Sequence, residues 1–191
     1  MDGQDALLGA DYLFTDNTRF LLTEFKYEKL DLKNEKKKPR RLVMCAALDE
    51  HKEAQSLSFD CHFIAWSERE YTRTVVFNSY YAEICNRTLF GADSLLQRET
   101  PLESSRCSAD DFIDGFILGS VGVGYAEFEG YSSWLLSLES GGGDSIELML
   151  DNPDSAQLEF LEFSSVQALK TWLDRNAPSP APRYTPGPRF P

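Results

Sequence analysis

Residues 10–27 run ADYLFTDNTRFLLTEFKY. Within them, 12–15 and 19–27 are rich in aromatic and branched apolar residues, which predicts two strands. Asp16-Asn17-Thr18 between them is a turn signal, because Asp and Asn side chains bond to nearby backbone and tolerate tight reversal. The two strands therefore pair antiparallel. Side chains alternate along a strand, so Glu24 and Lys26 project from one face. The turn also brings Asp11, at the start of the first strand, beside Glu24 to Lys26.

Working outward, a basic run leads into a helix over 39–51, with Pro39 near its first turn. Leu42, Val43, Cys45, Ala46, Ala47 and Leu48 cover much of that helix, so it is expected to be buried. Residues 58–66 are apolar on both faces and predict a central strand. A short strand over 74–77, a helix over 79–89 and a polar loop over 90–107 follow. Ser108 is a good N-cap, and Asp110 and Asp111 favour the first turn of a helix ending near Gly119. Beyond it the period becomes two, predicting antiparallel strands at 122–129, 132–139, 145–151 and 157–163. Gly141-Gly142-Gly143-Asp144 supplies a hairpin turn. Ser164 and Gln167 form a capping box for a last helix through Val166, Leu169, Trp172 and Leu173. The proline-rich stretch 177–191 is expected to be a flexible tail.

The chain has 191 residues, 42% hydrophobic and 13% aromatic, enough for a packed core. No apolar run approaches the roughly 20 residues of a membrane span. The start, Met1-Asp2-Gly3-Gln4-Asp5, is acidic where a signal peptide is basic, so a cytoplasmic, non-membrane protein is expected. Cys45, Cys61, Cys85 and Cys107 lack the close pairs of a zinc site and predict buried, reduced thiols. His51 and His62 have no adjacent catalytic motif and are expected to be structural.

Charge is unevenly placed within a net of −12. Lys33, Lys36, Lys37, Lys38, Arg40 and Arg41 crowd around a single acid and form a candidate contact for a nucleic-acid backbone. Residues 107–169 hold 12 acids and neither Lys nor Arg. Interleaved with Tyr125, Phe128, Tyr131, Trp134, Phe160 and Phe163, they form a candidate acidic face for a basic protein partner.

Asp11, Glu24 and Lys26 are the residues that point to chemistry. Two carboxylates are hard oxygen ligands suited to Mg²⁺ or Mn²⁺. Such an ion lowers the pKa of bound water and neutralises a phosphate, while a lysine orients the attacking water. The spacing acid-x-Lys occurs four times, at Glu24/Lys26, Asp31/Lys33, Glu35/Lys37 and Glu50/Lys52. Only the first lies on an expected strand with an upstream Asp. Here the chain resembles the PD-(D/E)XK nuclease superfamily, through Ala10-Asp11 and Glu24-Phe25-Lys26 followed by a helix and a strand; Ala10 stands where the motif has Pro. The resemblance implies that Asp11, Glu24 and the Phe25 carbonyl hold Mg²⁺ or Mn²⁺ and that Lys26 positions the water. It implies a restriction-endonuclease-like α/β core, a mixed sheet flanked by helices, over 1–106. An acidic antiparallel β layer with a final helix over 107–176 and the tail over 177–191 would elaborate it. The expected function is metal-dependent hydrolysis of nucleic-acid phosphodiesters, within a complex that serves defence or DNA processing. The alternative is a non-catalytic immunity or adaptor protein that binds a basic partner through 107–169.

Overall fold

A computed structural model describes residues 12–15, 18–38, 40–69, 72–138, 146–152 and 157–163, with 168, 171, 172 and 175. β1 (Tyr12–Thr15) and β2 (Phe20–Lys26) pair antiparallel, with Leu13 opposite Leu22, as the opening stretch predicts. β2 then runs parallel to β3 (His62–Arg69), with Glu24 opposite Ile64. Parallel neighbours need a long crossover. It consists of a 3-10 helix (Lys29–Lys37), α1 (Arg41–Glu50) and α2 (Lys52–Cys61). β4 (Arg73–Ser79) returns antiparallel to β3, and the short β5 (Cys107–Ser108) pairs with β4. At the other side β6 (Ile146–Asn152) joins β1 in parallel and β7 (Gln157–Phe163) pairs antiparallel with β6. Among the described residues this makes a seven-stranded mixed sheet of order β5-β4-β3-β2-β1-β6-β7. The chain is a mixed α/β protein.

Helices cover both faces. By register Phe14, Phe25, Phe63 and Phe77 share one face. There Phe112, from α5 (Ala109–Ile117), stacks on Phe77 at 4.0 Å and meets Phe63 edge-on at 4.9 Å. The opposite face carries Leu22, Glu24, Lys26, His62, Ile64 and Trp66. On it the fully buried His62 stacks at 4.7 Å on Tyr80, from α3 (Tyr80–Ile84). Its Nδ1 lies 2.9 Å from the hydroxyl of Tyr131, from α6 (Tyr125–Ser137).

Three expectations are corrected. Residues 58–61 end a helix instead of beginning a strand: Ala54, Ser58 and Cys61 are buried at helical spacing. A stretch apolar on both faces does not separate strand from buried helix by periodicity alone. The strands expected at 122–129 and 132–139 are one helix, α6, which buries Phe128, Tyr131, Ser132 and Leu135 at i, i+3, i+4 and i+7. The helix over 79–89 is broken into α3 and α4 (Arg87–Phe90), because the Asn86 side chain caps the Leu89 amide at 3.0 Å. The helix expected from 39 begins at Arg41. Pro39, Asp16, Asn17, the 141–144 turn, the Ser164–Gln167 box and the 177–191 tail lie outside the described residues.

The cysteines bring a fourth correction. Cys45 and Cys85 form a disulfide that ties α1 to the end of α3, while Cys61 stays free and buried. Burial pushes the Cys61 thiol far up, so it stays protonated. Oxidised pairs are commoner in secreted chains than in cytosolic ones, so the cysteines lend no support to the cytoplasmic expectation.

The helix after Ser108 appears as expected. The Ser108 hydroxyl accepts the Asp111 amide at 3.1 Å, satisfying one orphan donor of the first turn. Ser108→Ala is therefore expected to cost about 1 kcal/mol, seen as a melting point lowered by roughly 2–4 °C in calorimetry. An unchanged melting point would show that the cap is dispensable.

Candidate functional site: a buried cluster of carboxylates and cations

The cluster is assembled by a change of period. After β2 the chain enters the 3-10 helix, whose repeat is three residues. Leu32, Glu35, Lys38 and Arg41 are spaced by three, and this side of the turn faces the sheet. Leu32, Glu35 and Arg41 are buried. Asp31 steadies the entry by accepting the Glu28 amide at 3.1 Å.

Glu35 lands next to Glu24. The Lys26 ammonium touches Glu24 Oε1 and lies 2.7 Å from Glu35 Oε1. The Lys38 ammonium bridges the same two oxygens, at 2.8 Å and 3.1 Å. Arg41 spans both carboxylates from the other side, with Nε 3.1 Å from Glu35 Oε2 and Nη2 3.6 Å from Glu24 Oε2. The Tyr80 hydroxyl donates to Glu35 Oε2 at 2.5 Å, and the Arg41 guanidinium lies over the Tyr80 ring at 5.7 Å. Among the described residues, three cations stand against two carboxylates.

The titration of these groups follows from their contacts. Burial alone pushes the Glu35 carboxyl up, but Arg41, Lys26 and Lys38 outweigh it and hold the group at about 2. Burial pulls the Lys26 ammonium down, and Glu24 and Glu35 more than reverse this. Tyr80 is pushed well up, chiefly by burial, so its phenol keeps the proton that it donates. At neutral pH Glu35 is a carboxylate, Lys26 an ammonium and Tyr80 a phenol.

No known protein family, curated protein or solved structure matches this chain.

Of the residues singled out in the sequence, Glu24 and Lys26 are in direct contact on one face of β2. Asp11 lies outside the described residues. The Phe25 side chain points to the opposite face, between Phe14 and Phe77. Lys33, Lys36, Lys37 and Arg40 are exposed, whereas Lys38 and Arg41 turn inward onto the carboxylates. Glu35 and Tyr80 belong to the cluster and were missed. The three-residue spacing from Leu32 to Arg41 was the available signal for Glu35; for Tyr80 there was none, because the fold alone brings it there.

A divalent ion finds part of a site here. Glu24 offers hard carboxylate oxygens, the right donor chemistry for Mg²⁺. Among the described residues no three His, Cys, Asp or Glu side chains are grouped to hold a metal. Ammonium groups already occupy Glu24 Oε1, so an ion binding at that oxygen must displace one. Lys38, with its side chain 25% exposed against 3% for Arg41, is the one placed to swing away. No helix among the described residues is long and apolar enough to cross a membrane.

Proposed function

We propose that this chain is a nuclease-like protein that hydrolyses phosphodiester bonds of nucleic acid at the Glu24–Lys26 face. The observation that supports this best is the contact of Glu24 with Lys26 on a strand that leads through a helical crossover into a parallel neighbour. This is the element order of the PD-(D/E)XK core, with Asp11 as the expected further carboxylate. In that reading the Lys26 ammonium orients the attacking water. Lys38 and Arg41 neutralise the phosphate, and the exposed Lys33, Lys36, Lys37 and Arg40 hold the strand's backbone. Asp11, Glu24 and the Phe25 carbonyl would hold Mg²⁺ or Mn²⁺, which supplies an acidified water and charge neutralisation. A net charge of −12 opposes nucleic acid elsewhere on the chain, which favours action within a complex.

The test is cleavage of DNA and RNA with Mg²⁺ or Mn²⁺ by the native chain and by Glu24→Gln and Lys26→Met, each checked for folding by its melt. Metal-dependent cutting that disappears in both folded variants is the expected result. Cutting in none of the three, or equal cutting in all, sinks the proposal.

A second reading has its own observation. On α5 and just after it, Ile113, Ile117 and Leu118 are exposed beside exposed Asp110 and Asp114. An apolar ridge edged with acids suits a basic, amphipathic partner. This supports a non-catalytic interaction protein working through 107–169, and the absence of cleavage would shift the weight to it.

A further inference from the structure

The end of α1, the start of α2 and one face of α6 border a cavity of about 850 Å³ that is open to solvent. It lies at the opposite end of α1 from Arg41. Nine helical steps, about 13 Å, separate Arg41 from Glu50, so it is distinct from the Glu24 cluster.

Three features define what it can hold. The first is an aromatic wall. Trp134 lines the cavity, half-buried, stacked against Tyr131 at 5.9 Å and met edge-on by His51 at 5.9 Å. The indole is thereby fixed before any ligand arrives. The second is charge. Glu50, Glu53 and Glu127 line the cavity, and only Lys52 and His51 among its lining residues can oppose them. The Lys52 ammonium is drawn instead toward Gln55 and Gln97, at 3.3 Å and 3.5 Å. The side chains of Glu50 and Glu53 make no ion pair or hydrogen bond among the described residues. The third is Gly130, in the middle of α6. Glycine weakens a helix relative to alanine, yet a Cβ at Gly130 would meet nothing within 4 Å. Packing does not require the glycine there. It lines the cavity.

We infer that this cavity receives a basic peptide segment of a partner protein, seating an arginine guanidinium on the Trp134 indole among the Glu50, Glu53 and Glu127 carboxylates. A guanidinium fits better than an ammonium because it is planar, weakly hydrated, able to stack on an aromatic face and able to bond a carboxylate in two places. The volume is that of a ligand pocket rather than of one side chain, so neighbouring residues of the segment enter as well. The stretch 107–169, free of Lys and Arg, adds a long-range field that steers a basic segment toward α6.

The test is calorimetric titration of the full chain with the peptide acetyl-Gly-Arg-Gly-Arg-Gly-amide and its lysine counterpart. The native chain should bind the arginine peptide more tightly than the lysine one. Trp134→Leu should weaken binding about tenfold, between the exposed and the fully desolvated sizes of a cation–π contact. Gly130→Leu fills the cavity from a position with open space and a gain in helix propensity, so it should remove binding without lowering the melting point. Glu53→Gln, an exposed change that leaves the core untouched, should weaken binding severalfold. Failure of the native chain to bind overturns the inference. So does equal affinity of the native, Gly130→Leu and Glu53→Gln chains, which would mark general attraction to a negative protein.

Discussion

Glu35→Ala is expected to destabilise the fold by about 3–5 kcal/mol, the usual cost of removing one partner from a buried ion pair. Glu35 is fully buried and is the acceptor on which Lys26, Lys38, Arg41 and the Tyr80 hydroxyl converge. Without it Lys26, Lys38 and Arg41 lose one of their two described carboxylates, and the Tyr80 phenol loses its acceptor within the core. Urea unfolding of the native and variant chains measures the loss directly. A loss below about 1 kcal/mol would show that water or rearrangement replaces the carboxylate. The same residue makes a pH prediction with a definite sign. Its folded pKa, about 2, lies below the ordinary 4.5. Its stabilisation is therefore complete above about pH 4.5 and drains away as pH falls toward 2. The shift corresponds to roughly 3 kcal/mol. Glu35→Gln should flatten this part of the acid-stability profile, and an unaltered profile would locate acid sensitivity in other groups.

Removing the Cys45–Cys85 disulfide by a double change to alanine is expected to cost about 4 kcal/mol in the chain-entropy account. The bond spans 40 residues, which enclose all of α2, β3, β4 and α3. Cutting it frees the unfolded chain across the second half of the crossover and its return. Both cysteines are fully buried, so truncation also leaves a small void. For a chain of this length the loss corresponds to a melting point lowered by roughly 8–16 °C. Calorimetry with and without a thiol reductant gives the size. Alkylation of the unfolded, unreduced chain followed by mass spectrometry gives the pairing, with labels expected on Cys61 and Cys107 alone. Labels on all four cysteines would refute the bond.

How far the fold was legible depended on how local its causes are. β1, β2, β6 and β7 were readable because alternation and turn residues act over a few positions. The helix after Ser108 was readable for the same reason, since a serine hydroxyl and its first-turn acids act within three residues. Residues 52–61 and 125–137 were not. Ser58, Phe59 and Cys61 suit a buried strand as well as a buried helix, and Gly130 reads as a turn until its neighbours are known. In both cases burial against other elements settled the outcome, as tertiary context overrides weak local preference.

The site divides along the same line. Strand alternation by itself put Glu24 and Lys26 on one face, because a period of two is a property of the extended backbone. Composition by itself showed a basic run before an acidic stretch, 107–169, free of Lys and Arg. The tertiary structure alone decided that the basic run splits, with Lys38 and Arg41 turned inward and Lys33, Lys36, Lys37 and Arg40 exposed. It alone brought Tyr80, far along the chain, onto Glu35, and Cys85 onto Cys45. The physical reason is that local rules govern which way a side chain leaves the backbone. Which charges meet in the low-dielectric interior depends on the crossover that packs one element over another.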